Sequence, residues 1–208
     1  MGRPELTGLV LCGGSSLRMG SDKAALPLAG RTLLERAAAT FEGIAVETLL
    51  ACGASPRYGE LGLPLVLDRF PGAGPLSGLE AGLARARTDW VAALACDMPR
   101  AAPEAFLALE DRAIEGDFDL CLLVTDKGVE PLFAVYRRTC LEPVRAALAA
   151  GERRIIAFHP FPTAAGRPLR IGTLDERELP GGLVARGVAR NVNTPAELSA
   201  ELASRSAS

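Results

Sequence analysis

Short apolar segments alternate along the chain with longer segments that have one apolar face, and this alternation limits the fold more than any other feature. Six segments are strand candidates: residues 6–12, 47–52, 63–68, 90–96, 119–125 and 132–137. The first, third and fourth are almost continuously apolar, which predicts burial on both faces. We therefore expect a mainly parallel sheet between two helical layers.

Helix candidates lie between and after these strands. They are residues 32–41, 76–87, 103–114, 140–151 and 194–203. The first begins at a Thr cap, the third has proline in its first turn, and the fourth stops at a glycine. About half of the 208 residues are apolar, so we expect one domain over residues 1–208 whose tail, from about residue 200, is frayed.

Charge and composition exclude several classes of protein. The formal net charge is −2 without a basic stripe, which argues against a nucleic-acid binder. The sequence has neither an apolar stretch of transmembrane length nor a signal-peptide core, so we expect a soluble, cytoplasmic protein without a membrane partner. The five cysteines, without a C-x-x-C pair, sit mostly in apolar runs, which favours buried free thiols.

Two residue types are scarce in a way that narrows the chemistry. His159 is the only histidine, so a metal site would depend mainly on carboxylates, which favours Mg2+. Lys23 and Lys127 are the only lysines among 23 basic residues. The position of Lys23 in a glycine-rich loop suggests that its compact ammonium group matters there, although chance also explains it.

That loop, "LCGGSSLRMGSDK", matches neither of two familiar phosphate-binding patterns. Gly20 is followed by Ser21 rather than by the lysine of a P-loop, and the adjacent Gly13 and Gly14 do not make a dinucleotide fingerprint. Its glycines could still expose backbone N–H groups to phosphate oxygens, while Arg18 and Lys23 neutralise a triphosphate. The alternative is a flexible turn with solvated cations.

Two aspartates follow predicted strands at the edge where ligands bind in such sheets. Asp68 and Asp97 are candidate ligands for Mg2+ or for a nucleotide hydroxyl, but each could equally be a helix cap or a turn former. Asp97 is the stronger candidate because a proline soon follows it in "ACDMP". We expect the glycine loop, "DRFPGAGPLSG" and "CDMP" to converge at this edge.

Three further segments have both a functional and a purely structural explanation. "PGAGPLSGLEAGL" supplies either a helix N-terminus open to a ligand or close packing of a helix on a strand. In "AGERRI", Arg153 and Arg154 form either a phosphate clamp or an exposed helix end. In "NVNTP", Asn191 and Asn193 either read a heterocycle, or Asn193 and Thr194 cap the last helix.

Taken in order, these segments resemble the molybdenum cofactor guanylyltransferase family, which joins GMP to molybdopterin. The likeness runs from Leu9 to about Leu198; its first loop is shared with many nucleotidyltransferases, but "AGERR" and "NVNTPAEL" make the combination more specific. It implies a Rossmann-like three-layer α/β/α sandwich of the nucleotide-diphospho-sugar transferase type. Cys12 stands where the family usually has Ala, and Ala51 lies near a position where some relatives carry a nucleotide-contacting Asn.

The resemblance also implies a set of site residues. The nucleotide-binding residues would be Leu11, Cys12, Gly13, Gly14, Lys23, Asp68, Gly78 and Asp97. Arg18, Lys23 and Asp97 would be catalytic, with Arg18 and Lys23 on the triphosphate and Asp97 on Mg2+. Arg153, Arg154, Asn191 and Asn193 would bind the pterin.

The implied reaction transfers GMP from GTP to the terminal phosphate of molybdopterin and releases pyrophosphate. Since that phosphate is already ionised at neutral pH, no general base is required. Molybdenum enzymes or cofactor-delivery proteins are the implied protein partners. Two alternatives remain: a cytidylyltransferase or sugar-nucleotide pyrophosphorylase on the same fold, and a non-catalytic carrier of GTP or pterin.

Overall fold

The structure is a computed structural model that describes residues 3–13 and 22–206. Within these residues the strands are β1 Leu6–Leu11, β2 Pro27–Leu28, β3 Arg31–Thr32, β4 Glu47–Ala51, β5 Leu65–Val66, β6 Trp90–Ala95, β7 Leu120–Thr125, β8 Gly128–Arg137 and β9 Ile171–Asp175. The α-helices are α1 Leu33–Ala39, α2 Pro75–Arg85, α3 Pro103–Glu115, α4 Leu141–Ala149 and α5 Pro195–Ser206.

Seven of these strands form one sheet in the order β5-β4-β1-β6-β8-β7-β9. β1 is parallel to both of its neighbours, β4 and β6. The pairs β4–β5 and β7–β9 are also parallel. β8 is antiparallel to both of its neighbours, β6 and β7. The mainly parallel sheet is therefore confirmed. All six residues of β1 are buried, as its continuous apolarity predicts.

Helices cover both faces of this sheet, which confirms the three-layer sandwich. Alternate side chains of β1 enter opposite cores: Val10 packs with residues of α1 and α3, and Leu9 packs with residues of α2 and α4. The chain thus builds two apolar cores on one sheet, and the polar residues that follow the strands are left at its edge.

The third strand candidate and the last strand differ from the sequence-based expectation. The segment 63–68 contributes only β5, a two-residue strand at the sheet edge, and Leu67 beyond it is 41% exposed. The prediction that this segment is buried on both faces is wrong. β5 is an edge strand, so it is covered on one side only. β9 was missed because it exposes alternate residues, such as Ile171, and lacks a continuous apolar run.

The helix boundaries follow the predicted signals closely. Thr32 caps α1 through a capping box with Glu35, and proline occupies the first turn of both α2 and α3. α5 continues to Ser206, three residues beyond its predicted end, and no described helix is long and apolar enough to cross a membrane. All five cysteines are buried free thiols, as predicted.

Glycines let α2 lie unusually close to the sheet. A Cβ atom at Gly82 would sit 2.3 Å from Cδ2 of Leu9, a fully buried side chain of β1. A Cβ at Gly78 would lie 3.2 Å from the Cβ of Ala51 in β4. The N-terminal end of α2 is therefore held directly against the ends of β1 and β4.

We predict that Gly82→Ala destabilises the protein, although alanine favours a helix. The added methyl group must displace Leu9 in a packed core, an overpacking effect of about 1–3 kcal/mol, against a helix-propensity gain of about 1 kcal/mol. Chemical denaturation should show a lower midpoint. Gly59→Ala is the matched control, because a Cβ there would meet nothing within 4 Å; equal midpoints for the two variants would contradict the packing argument.

Candidate active site

Three chain segments leave the sheet side by side at the carboxyl ends of the central strands. The N–H groups of Cys12 and Gly13 donate to the Ala51 carbonyl at 3.0 and 2.9 Å, and the Cys96 N–H donates to the Leu11 carbonyl at 3.1 Å. The hydrogen-bonded ladder thus continues two residues past β1 and one residue past β6. The bond at Cys96 fixes the position of the chain directly before Asp97.

A cleft of about 570 Å³ opens between the ends of β1 and β4 and the turn that leads into α2. Leu11, Gly13, Asp68 and Gly78 line it, as do residues 53–55 after β4. Its size is suited to a nucleoside-sized ligand. Of the expected nucleotide-binding residues, Cys12 is buried behind the cleft, while Gly14 and the catalytic candidate Arg18 lie outside the described residues.

Backbone atoms rather than side chains form much of this cleft. A Cβ at Gly13 would lie 2.6 Å from the backbone nitrogen of Gly53, so only glycine lets the two segments approach this closely. Gly78 lines the cleft and also packs closely against Ala51, so both explanations of the second glycine-rich segment apply to it. A side chain at either position would alter the fold as well as the cleft.

The glycine turn before α2 connects the cleft with "AGERR". Gly74 has a φ of +67°, and a Cβ there would lie 3.4 Å from the backbone oxygen of Arg153. The side chains of Arg153 and Arg154 are exposed. Neither forms an ion pair with the residues that the structure describes. The backbone of Arg153 therefore lies beside the glycine turn, and neither arginine has a counter-charge from the described chain.

Asp68 also lines the cleft, two residues beyond β5. Its backbone N–H donates to the Gly53 carbonyl at 2.9 Å, which holds it beside the end of β4. Burial raises the pKa of the Asp68 carboxyl, and a hydrogen bond with the Ser77 hydroxyl partly opposes that shift. This half-buried carboxylate is suited to accept hydrogen bonds from ligand hydroxyl groups.

Next to the cleft, Lys23, Asp97 and Asn193 form a polar cluster. The Lys23 Nζ donates to Asp97 Oδ2 and to Asn193 Oδ1, both at 2.7 Å. The Lys23 and Asp97 side chains are only 13% and 19% exposed. The other Asp97 oxygen, Oδ1, is buried and accepts no hydrogen bond from the described residues. An anionic oxygen in that position is a natural partner for a cation.

The two asparagines of "NVNTP" have different surroundings. The Val192 N–H donates to the Asp97 carbonyl at 2.8 Å and holds this segment against the end of β6. Asn193 reaches Lys23, whereas the Asn191 Oδ1 is buried without a partner among the described residues. Asn193 thus lies on the same side of the site as the phosphate-binding candidate Lys23.

The cap of α5 is formed by Thr194 and not by the side chain of Asn193. Thr194 Oγ1 accepts from the Glu197 N–H at 3.2 Å, while a Glu197 carboxylate oxygen accepts from the N–H groups of Asn193 and Thr194. This is a capping box. The structural alternative for "NVNTP" therefore applies to Thr194, and the Asn193 amide is left for the polar cluster.

Sequence reasoning missed other polar residues at this edge. Asp22 accepts hydrogen bonds from Tyr58 and Arg57, and Arg57 lines the cleft. On the other side, burial raises the pKa of the Glu130 carboxyl; Lys127 opposes this shift and Asp97 adds to it. Asp22 belongs to the glycine-rich motif and could have been found from it. No local sequence pattern links Asp22 to Arg57 or Tyr58.

The family model for the MobA-like NTP transferase domain matches residues 8–165. The chain belongs to this family. It is 35% identical over 195 residues to a protein of Carboxydothermus hydrogenoformans named probable molybdenum cofactor guanylyltransferase, which covers 93% of each chain.

Solved structures support the same fold. The structure superposes on molybdopterin-guanine dinucleotide biosynthesis protein A from Archaeoglobus fulgidus with a TM-score of 0.81 at 22% identity, covering 97% of this chain and 100% of the other. It also matches 2-C-methyl-D-erythritol 4-phosphate cytidylyltransferase from Thermus thermophilus, with a TM-score of 0.62 at 18% identity and coverage of 94% and 96%. At these identities, the two matches establish a nucleotidyltransferase fold and not a substrate.

We predict that Asn193→Ala and Thr194→Ala separate activity from stability. Asn193→Ala removes one of the two acceptors that hold Lys23, so pyrophosphate release from GTP should fall several-fold while the melting temperature stays close to that of the wild type. Thr194→Ala removes the helix cap and should reduce stability by about 1 kcal/mol. A lower melting temperature for Asn193→Ala with normal turnover would show that Asn193 acts only structurally.

Proposed function

We propose that this protein transfers GMP from GTP to the terminal phosphate of molybdopterin or the molybdenum cofactor and releases pyrophosphate. The observation that carries the proposal is the Lys23, Asp97 and Asn193 cluster beside a nucleoside-sized cleft. The named guanylyltransferase relatives, which match nearly the whole chain, support the same activity.

In this proposal the cleft takes the nucleoside, and the polar cluster faces the phosphates. The guanine base lies against the backbone near Leu11, Gly13 and Gly78, and Asp68 accepts hydrogen bonds from the ribose. The Lys23 ammonium group, with Arg18 from the loop outside the described residues, neutralises the triphosphate. These groups hold the α-phosphorus in line for attack, so that alignment and charge neutralisation supply the catalysis.

Mg2+ is the metal that this site is suited to hold. Asp97 Oδ1 is a buried anionic oxygen without a partner in the described chain, and Mg2+ is usually bound through one or two carboxylates together with phosphate oxygens. When bound, the ion neutralises phosphate charge and orients the leaving group. Among the described residues, no group of three or more His, Cys, Asp or Glu side chains forms a metal site by itself.

The chemical step needs no proton transfer to or from the protein. An oxygen of the acceptor phosphate forms a bond to the α-phosphorus of GTP, the bond from that phosphorus to the bridging oxygen breaks, and pyrophosphate leaves with the bonding electrons. The acceptor is already an anion at neutral pH. His159 packs edge-on against Phe158, with ring centroids 4.8 Å apart, and is given no role in this proposal.

The pterin side of the site is assigned to Arg153, Arg154, Asn191 and Asn193. The support for this is that the Arg153 backbone lies beside the glycine turn of the cleft, that both arginine side chains are exposed, and that the Asn191 amide oxygen is buried without a described partner. The arginines provide positive charge for the acceptor phosphate, and the amides provide donors and acceptors for the pterin ring.

We also propose a reducing, cytoplasmic setting. The support is that all five cysteines are buried free thiols, including Cys12 and Cys52, whose sulfur atoms are 3.8 Å apart. Disulfide bonds are typical of proteins that work in oxidising compartments.

Product analysis distinguishes this function from its alternatives. Purified protein is incubated with molybdopterin, Mg2+ and one of GTP, CTP or UTP, and the products are identified by mass spectrometry. Guanylylated pterin and pyrophosphate, formed only with GTP, are expected. A preference for CTP or UTP would favour the cytidylyltransferase or pyrophosphorylase alternative, and unchanged GTP would favour a binding carrier.

We predict that Asp97→Asn lowers the transfer rate by about two orders of magnitude or more, the scale of a lost electrostatic contact in an active site. The substitution keeps the size of the side chain but removes the charge that pairs with Lys23 and with the metal. GTP affinity, measured by calorimetry, should change much less. Asp111→Asn is the control because Asp111, on α3, pairs with Arg3 near the N-terminus and lines neither the cleft nor the polar cluster. Near-normal transfer by folded Asp97→Asn across a Mg2+ titration would move the metal to other residues, with Asp68 examined first.

A further inference from the structure

The segment after β4 contacts Asp22 through Arg57 and Tyr58. Tyr58 has a φ of +64°, a left-handed conformation that is strained for a residue with a side chain. The Arg57 guanidinium lies over the Tyr58 ring, with its central carbon 5.3 Å from the ring centroid. A strained backbone that persists is held by its surroundings, and here those surroundings include Asp22.

Arg57 links the ends of two strands to Asp22. Its Nη2 donates to the backbone oxygens of Cys12 and Cys52, at 3.4 and 3.2 Å, immediately after β1 and β4. Its Nη1 pairs with Asp22 Oδ2 at 3.4 Å. Because the two charged side chains are 36% and 38% exposed, their attraction alone is weak, and the carbonyl contacts are needed to fix the guanidinium.

Both carboxylate oxygens of Asp22 accept hydrogen bonds, and the two donors lie in different parts of the chain. Oδ2 accepts from the Tyr58 hydroxyl at 2.5 Å, and Oδ1 accepts from the Ala24 N–H at 3.2 Å. The second contact caps the short 3-10 helix Lys23–Ala25. Burial, and then the hydrogen bond to Asp22, raises the pKa of Tyr58, so its hydroxyl stays a donor at neutral pH.

From these contacts we infer that Asp22, Arg57 and Tyr58 are positioning residues that aim Lys23 at the phosphates. The three side chains, called here the exit clamp, tie the point where the glycine-rich loop ends to the strand ends where it begins. Asp22 directly precedes Lys23 in the chain, so the clamp fixes the backbone from which the ammonium group reaches Asp97 and Asn193. This inference rests on the proposed function, in which Lys23 binds the triphosphate.

The test asks whether the clamp acts through Lys23. Tyr58→Phe and Asp22→Asn are made in the wild type and in Lys23→Ala, and GMP transfer is measured in single turnovers with enzyme in excess, together with GTP affinity by calorimetry. In the wild-type background each should slow transfer about tenfold, the scale of one lost hydrogen bond to a charged group. In Lys23→Ala each should change it less than about twofold, because residues that act through one group are not additive.

Tyr136→Phe is the matched control for loss of a tyrosine hydroxyl. The chain has only two tyrosines, and the Tyr136 hydroxyl donates to the Pro131 carbonyl at 2.5 Å, within the core. It should reduce thermal stability but change transfer by the same small factor in both backgrounds. This control separates a general loss of stability from an incorrect position of the Lys23 ammonium group.

Two results would overturn the inference. The first is a Tyr58→Phe loss of equal size in both backgrounds, which assigns Tyr58 a merely structural role, and the second is no loss in either. Arg57→Lys tests the third residue of the exit clamp. If this substitution weakens GTP binding equally in the wild type and in Lys23→Ala, Arg57 contacts the nucleotide directly and is not part of the clamp. Absence of GMP transfer by the wild type would instead reject the proposed function, and the clamp would then be judged on GTP affinity alone.

Discussion

The ion pair between Lys23 and Asp97 is the interaction on which the site depends. It joins the end of the glycine-rich loop to the end of β6 across 74 residues, and both side chains are largely withdrawn from water. Because water reaches little of either side chain, each charge depends on its partner for stabilisation. A phosphate that binds here must therefore either replace one member of the ion pair or share Lys23 with Asp97. It does not bind to a surface that is free of other charges.

The sheet order explains why these two residues can meet. β1 lies between β4 and β6, all three strands point the same way, and their carboxyl ends share one edge. Gly13 then lets the chain after β1 approach Gly53, and Gly82 lets α2 lie close to Leu9 of β1, at distances that a side chain would prevent. The cleft is accordingly built largely from backbone, and the neighbouring polar cluster from the side chains of Lys23, Asp97 and Asn193.

Sequence alone predicted the elements whose signal is local. The buried runs of β1 and β6, the capped start of α1, and Lys23 and Asp97 as site candidates all follow from patterns within a few residues. β9 and β5 lie at the edges of the sheet and lack the continuous apolar pattern, so one was missed and the other misjudged. The contact of Lys23 with Asn193, across 170 residues, and that of Asp22 with Tyr58 depend on how loops meet after the sheet has formed, which no local pattern encodes.

The scarcity of lysine in this chain has a structural counterpart at Lys23. An ammonium group has three N–H donors in a compact tetrahedral arrangement, whereas a guanidinium presents a planar fork. At Lys23 two donors are directed at single oxygens of Asp97 and Asn193, each 2.7 Å away on different segments, and the third has no acceptor among the described residues. A phosphate oxygen can take that third donor without breaking the other two contacts. In the proposed function, the same geometry that holds the charge in the folded protein leaves one N–H donor of Lys23 for the substrate.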